Sequence, residues 1–303
     1  MKQAIRVMLW ITLAAAVVSA VPAAPARAAE VRIDHKGLGL LGEAALAPGK
    51  TWKDGAILIV HGTMVHRGFD AIAHQRKALL EQGFSNLAVT LSLDVPDRRG
   101  NGDCAKPQTH RHQDAPAEIA AWIAYLKAQG AADITLFGHS RGGNQVMRYA
   151  IAGADPAVKR VVLLAPTDFD AAGVAGYRDA PAGELDKRLA EAGRLASAGR
   201  GSELMRGIRF LNCAQTDASA DAFLSYYRDD GQMNTLDRLG AIRVPTLVIA
   251  GTLDTITPDI PAKMRGKTGA QVKLAVIDGA DHFFRDLIAD EVAELVVKFL
   301  SGG

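Results

Sequence analysis

Residues 133–150 read DITLFGHSRGGNQVMRYA: an apolar run that ends in glycine, then a serine, then paired glycines opening a helical pattern. Such a stretch fits a strand, a tight turn and a helix in immediate succession. Gly138 and Gly142 admit a turn too sharp for residues with a Cβ, and that turn would hold the Ser140 hydroxyl outside the carboxyl end of a sheet. The helix start behind it aims main-chain N–H groups toward developing negative charge. By itself the pentapeptide leaves two readings open, a nucleophile or a polar residue in a glycine-rich turn. The rest of the chain has to separate them.

Outward from this stretch, short apolar and β-branched runs recur at Ala56–Val60, Leu87–Leu91, Ile134–Phe137, Arg160–Ala165, Thr246–Ala250 and Val272–Ile277. None alternates strictly with polar residues, as expected of strands covered on both faces. Helical spacing lies between several of them: Phe69–Gln82 stops at Gly83, and Ala117–Gln129 stops at Gly130. Strands alternating with helices predict an α/β fold with a mostly parallel, doubly wound sheet. Two insertions interrupt the rhythm. Ser92–Pro116 is a long polar, turn-rich segment of the kind that usually carries function or is disordered. Thr167–Ala241 is mainly helical in pattern and predicts a helical cap inserted at about 167–241 of a single domain spanning 29–303. A separate domain there is the weaker expectation, because large apolar residues are few.

A serine hydroxyl needs a base to take its proton and a third group to orient that base. His282, in IDGADHFFRD, follows the last strand-like run, and Asp254, in VIAGTLDTITP, follows the one before. Both would emerge at the carboxyl edge of the sheet, on the side of Ser140. Taken singly, Asp254 reads as a turn residue and His282 as a helix entry. Three such residues at matching strand ends favour chemistry.

With these residues in view, the chain resembles the α/β-hydrolase superfamily of serine esterases and lipases. Gly138-His139-Ser140-Arg141-Gly142 matches its nucleophile elbow, Asp254 its acid position and Gly279-Ala280-Asp281-His282-Phe283-Phe284 its histidine loop, in the family's order. The likeness runs from about Ala56 to the C-terminus. It implies a Ser140–His282–Asp254 triad and an oxyanion hole from the main-chain N–H groups of Thr63 and Arg141. Met64 is the alternative first donor, since His61-Gly62-Thr63-Met64 resembles the oxyanion loop; His61 itself reads as structural. Asp168 is a rival acid, because some relatives place the carboxylate one strand earlier.

Other residues carry weaker signals. His110, His112 and Asp114 could be read as metal ligands, but scattered polar loop residues are the simpler reading, and no metal or organic cofactor is expected. His66 and Arg67 face either substrate or solvent. Tyr226 and Tyr227 either line a cap pocket or pack. Cys104 and Cys213 lie in the two insertions, both expected at the same sheet edge, so a disulfide between them is an open candidate.

The chain begins MKQAIRVMLWITLAAAVVSAVPAAPARAAE. A basic start, an apolar run from Val7 to Val21 and a small-x-small site at Ala26-Arg27-Ala28 predict a signal peptide over 1–28 and a secreted or periplasmic protein. The run is shorter than the roughly 18 residues of a spanning helix, so no stable membrane span is expected after cleavage. Loss of Lys2, Arg6 and Arg27 would take the formal charge from +2 to −1. With no basic stripe elsewhere, nucleic acid is excluded as a partner class. The expected activity is cleavage of a small-molecule carboxylic ester through an acyl-enzyme. An amidase or peptidase on the same triad, and an idle hydrolase-fold binding protein, are the alternatives.

Overall fold

The computed structural model describes residues 28–168 and 176–302. The expected leader therefore lies outside the described residues except for Ala28, the first residue of a strand. That strand, β1 (Ala28–His35), pairs antiparallel with β2 (Leu38–Ala45). Lys36 and Gly37 between them both take positive φ, as a two-residue hairpin turn requires.

The remaining strands of the main sheet are β3 (Ala56–Val60), β4 (Asn86–Thr90), β5 (Ile134–His139), β6 (Val158–Leu164), β9 (Thr246–Gly251) and β10 (Val272–Ile277). The sheet order is β1-β2-β4-β3-β5-β6-β9-β10, and every pair from β4 onward is parallel. β3, β4, β5 and β9 are buried along their whole length, which accounts for their mainly apolar, non-alternating sequence. Helix α1 (Asp70–Glu81) packs with α7 (Leu287–Leu300), and α2 (Ala115–Ala128) with α3 (Arg141–Ile151). Because the order reverses at β4-β3-β5, the crossovers leave in opposite directions on either side of β3. Such a reversal opens a crevice at the carboxyl edge, between the ends of β3 and β5.

Between β6 and β9 the chain forms α4 (Glu184–Ser197), the antiparallel hairpin β7 (Leu204–Phe210) and β8 (Cys213–Ser219), and α5 (Ala220–Tyr227). Among the described residues of this segment these two helices match the helical expectation, and the hairpin departs from it. Nor does the segment lack large apolar residues to build on. Phe210, Phe223, Tyr226, Tyr227, Met205 and Ile208 meet in a cluster separate from the main core, completed by Met64 from the loop after β3. These residues are scattered in sequence and converge only because the hairpin folds onto α5. A short helix, α6 (Ile260–Lys263), follows β9. Among the described residues no helix is long and apolar enough to cross a membrane.

Candidate active site

The end of β5 is the pivot of the site. Ser140 takes φ 55° and ψ −123°, a backbone conformation an L-residue holds only at a cost of about 1–3 kcal/mol. Its two flanking glycines show why the turn is possible. A Cβ on Gly138 would lie 2.5 Å from the Gly142 carbonyl oxygen, and one on Gly142 would lie 2.5 Å from the carbonyl oxygens of both Val60 and His61. Glycine here permits helix α3 to start hard against the end of β3. The strained turn is held by the Ser140 N–H donating to the Leu164 carbonyl at 2.9 Å, while the Ser140 carbonyl accepts from Gly143 N–H at 2.9 Å.

Loops after β9 and β10 bring two further side chains to the serine. His282 Nε2 lies 2.9 Å from Ser140 Oγ, and His282 Nδ1 lies 2.8 Å from Asp254 Oδ2. With the Nδ1–H tautomer, the imidazole donates to the carboxylate and accepts from the serine hydroxyl. All three residues are buried. Asp254 is fully committed: Oδ1 accepts from the N–H groups of Ile256 (2.7 Å) and Thr257 (2.8 Å), and Oδ2 also accepts from Thr257 Oγ1 (2.7 Å). Burial alone would raise its pKa, but the hydrogen bonds from His282 and Thr257 outweigh it and hold the carboxyl at about 2. The His282 carbonyl accepts in turn from His139 Nε2 at 2.8 Å. Burial, and then the neighbouring His282, push His139 down to about 3, so this donor is a neutral imidazole.

Opposite Ser140 runs the His61–Met64 loop after β3. Gly62, Thr63, Ser140, Arg141 and His282 line a cavity of about 380 Å³, whose apolar wall comes from Val65, Phe69, Ile256 and Phe283. Phe69 and Phe283 meet edge to face at 6.0 Å. Met64, the alternative donor, is not among the lining residues; its side chain is buried in the apolar cluster of the insertion. His61 is structural in placement: it bonds the Gly62 carbonyl through Nδ1 (2.8 Å) and accepts the Leu91 N–H at Nε2 (3.0 Å). Burial, aided by Arg98, lowers it to about 3. Both insertions reach the cavity, through Asn101 and Asn212.

The other candidates fall elsewhere. Asp168 accepts from the Leu236 N–H (3.1 Å) and faces Lys263 (3.4 Å), while the imidazole of His282 is engaged with Asp254. Arg67 turns away from the cavity to Thr90 and Glu30, and His66 accepts its own loop's Gly68 N–H. Among the described residues no group of three or more His, Cys, Asp and Glu is arranged to hold a metal. His110 and His112 are not scattered surface residues, however. Both are buried, His110 against the Tyr226 hydroxyl (2.8 Å) and His112 against Asn144 Oδ1 (2.8 Å). Tyr226 and Tyr227 pack with Phe210 and are 1% exposed, outside the cavity lining. Cys104 and Cys213 are joined, with Cα atoms 5.5 Å apart, and tie the long loop to the hairpin. Main-chain bonds reinforce that tie, from Gln108 N–H to the Asp217 carbonyl and from Ser219 N–H to the Gln108 carbonyl.

Several residues of the site escape sequence inspection. Thr257 had a legible signal, a threonine three residues after an aspartate in a turn. Phe69, Phe283, Asn101 and Asn212 had none, because their convergence depends on four separate loops.

A family model described as an alpha/beta hydrolase family matches residues 57–297, from β3 into α7. A non-heme haloperoxidase of Rhodococcus erythropolis is 27% identical over 256 residues, covering 78% of this chain and 84% of its own length. Est1E from Butyrivibrio proteoclasticus superposes with a TM-score of 0.60 at 20% identity, covering 90% of this chain and 98% of that one. A monoacylglycerol lipase of Paleococcus ferrophilus gives 0.59 at 20% identity over 86% and 98%. At such identities the structural likeness speaks for the fold alone. The family match covers most of the length and every strand from β3 to β10, and by it this chain belongs to the alpha/beta hydrolase family.

Proposed function

We propose that the protein is a serine hydrolase that cleaves a small carboxylic ester through an acyl-enzyme. The unbroken hydrogen-bond chain Ser140–His282–Asp254 at the wall of the cavity carries this assignment. Ser140 Oγ attacks the acyl carbon while His282 Nε2 takes its proton, and Asp254 holds the tautomer and stabilises the imidazolium. The N–H groups of Thr63 and Arg141 receive the oxyanion; losing one such donor typically slows a reaction by about 10²–10³. The tetrahedral adduct collapses, the leaving alkoxide takes the proton from Nε2, and the acyl group stays on Ser140. Water then gives a proton to Nε2 and adds to the acyl carbon, and Ser140 leaves with that proton. The insertion between β6 and β9 acts as the cap that closes the cavity. The leader reading and the Cys104–Cys213 disulfide together favour an exported protein, since disulfides persist in oxidising compartments.

Purified Ser140→Ala protein tests the assignment. Turnover of short p-nitrophenyl esters is expected to fall by at least about 10³-fold with the fold intact, and a fluorophosphonate is expected to label wild type at Ser140. Unchanged turnover in the variant sinks the assignment. Turnover of aminoacyl amides in place of esters would move the protein to the amidases.

A second reading is favoured by the relative named a non-heme haloperoxidase. Hydrogen peroxide in place of water would release the acyl group as a peracid, which oxidises halide to hypohalous acid and returns the carboxylate. Peroxide-dependent halogenation of an activated diketone, lost in Ser140→Ala, would establish it.

A further inference from the structure

Arg141 is the variable residue of the Gly-x-Ser-x-Gly turn, and its side chain is not on the surface. It is 3% exposed, and its Nε donates to Thr63 Oγ1 at 3.0 Å. That bond joins the first residue of helix α3, just past Ser140, to the loop that follows β3. These are the two residues whose main-chain N–H groups the proposed mechanism uses, and nothing in the covalent chain sets their separation. The loop carrying Thr63 is also not at rest by itself: Met64 holds φ 56°, a left-handed conformation that persists only when the surroundings impose it.

The guanidinium is itself gripped from behind. Its central carbon sits 5.2 Å from the centroid of the Tyr226 ring, and Nη1 lies 3.4 Å from His112 Nδ1. His112 donates from Nε2 to Asn144 Oδ1, which leaves Nδ1 as an acceptor, the role a guanidinium neighbour requires. Burial, and then the charge of Arg141, depress the His112 pKa well below its ordinary value, which keeps this imidazole neutral. Asn144 in turn donates to Thr235 Oγ1 at 2.9 Å and to the Gln232 carbonyl at 2.9 Å. His112 of the long loop is thus placed against the buried guanidinium of Arg141. Burying a guanidinium is expensive unless its donors are placed, and here one of them is placed on the oxyanion loop.

We propose that the Arg141 side chain is a positioning residue that sets the separation of the two oxyanion donors by fastening Thr63 Oγ1. The assignment rests on the serine hydrolase mechanism above. Its effect is confined to the transition state, because a displaced N–H group fails the tetrahedral oxygen more than the ground-state carbonyl.

Thr63→Val removes the acceptor with little change of shape, and Arg141→Lys keeps a cation but loses the planar fork. Each is expected to lower kcat on a p-nitrophenyl ester by about ten- to a hundredfold with KM within about threefold, less than outright loss of a donor. The double variant is expected to be no slower than Arg141→Lys alone, because both changes break one bond. Affinity for phenylboronic acid, whose adduct on Ser140 carries a tetrahedral oxyanion-like oxygen, falls in parallel with kcat, while affinity for the carboxylate product holds. Wild-type kcat and boronate affinity in Thr63→Val overturn the inference, as do losses that multiply in the double variant. Should Arg141→Lys not fold, Thr63→Val decides alone. Ser140→Ala distinguishes the two levels: if it remains active the mechanism fails, and if it is inactive while Thr63→Val is unaffected only the positioning role fails.

Discussion

Ser92 donates to the carboxylate of Glu118 twice, from its N–H at 2.8 Å and from its hydroxyl at 2.5 Å, and so pins the start of the long loop after β4 to helix α2. Six residues on, Arg98 folds the same loop back toward the site, donating to the Leu91 and Val65 carbonyls. Burial raises Glu118 to about 7 against the hydrogen bonds of Ser92 and the charge of Arg98. A carboxyl whose folded pKa is raised weakens the fold as pH climbs from its unfolded value of about 4.5 through about 7. The loss amounts to about 3 kcal/mol at most. Glu118→Gln, able to accept the Ser92 N–H and donate to its hydroxyl, is expected to raise Tm above wild type at pH 8 and to lose that advantage near pH 4. Equal Tm values at both pH values would show that the buried carboxylate carries no such penalty.

Asp254 has the opposite sign. Its folded pKa, about 2, lies below the unfolded value of 3.8, so its contribution is complete above about pH 4 and disappears as pH falls through about 2. The contribution is about 2 kcal/mol. Asp254→Asn is expected to unfold in denaturant with a weaker pH dependence between pH 4 and 2 than wild type. Its ester turnover at pH 7 is expected to drop by about 10⁴-fold, because the amide no longer favours the Nδ1–H tautomer. Parallel acid-unfolding curves for the two proteins would remove Asp254 from the stability account.

The Cys104–Cys213 disulfide closes a loop across a separation of 109 residues. In the chain-entropy model a loop of that size restricts the unfolded chain by about 4–5 kcal/mol. The double variant Cys104→Ser/Cys213→Ser is expected to unfold at lower denaturant concentration. Because Asn101 and Asn212 flank the bridge at the cavity, KM for bulky esters is expected to shift more than KM for acetate esters. An unchanged midpoint would mean that the Gln108–β8 pairing alone holds the loop to the hairpin.

The core of the fold was legible because buried parallel strands must be continuously apolar, and the six runs from Ala56 to Ile277 match β3, β4, β5, β6, β9 and β10 within two residues at each end. The hairpin of β1 and β2 is not legible in the same way: β1 is a half-exposed edge whose Val31 and Ile33 alternate with exposed neighbours, and β2 is interrupted by Gly39 and Gly42, so neither carries a continuous apolar run. The hairpin of β7 and β8 is hidden in the sequence for a related reason: CAQTDAS holds no large apolar residue, and its pairing is sustained by packing against Tyr226 and Phe223.

Of the candidate site, sequence alone singled out Ser140, Asp254, His282 and the Thr63 loop, because each is tied to a strand end and parallel strands send their carboxyl ends to one edge. Local order along the chain was enough for that. It could not say that Asp254 rather than Asp168 meets His282, that His110 and His112 are buried, or that Arg141 reaches Thr63. Those are distances between side chains carried by different loops, and they exist only once the sheet has set the loops side by side and the disulfide has joined the two insertions beside the cavity.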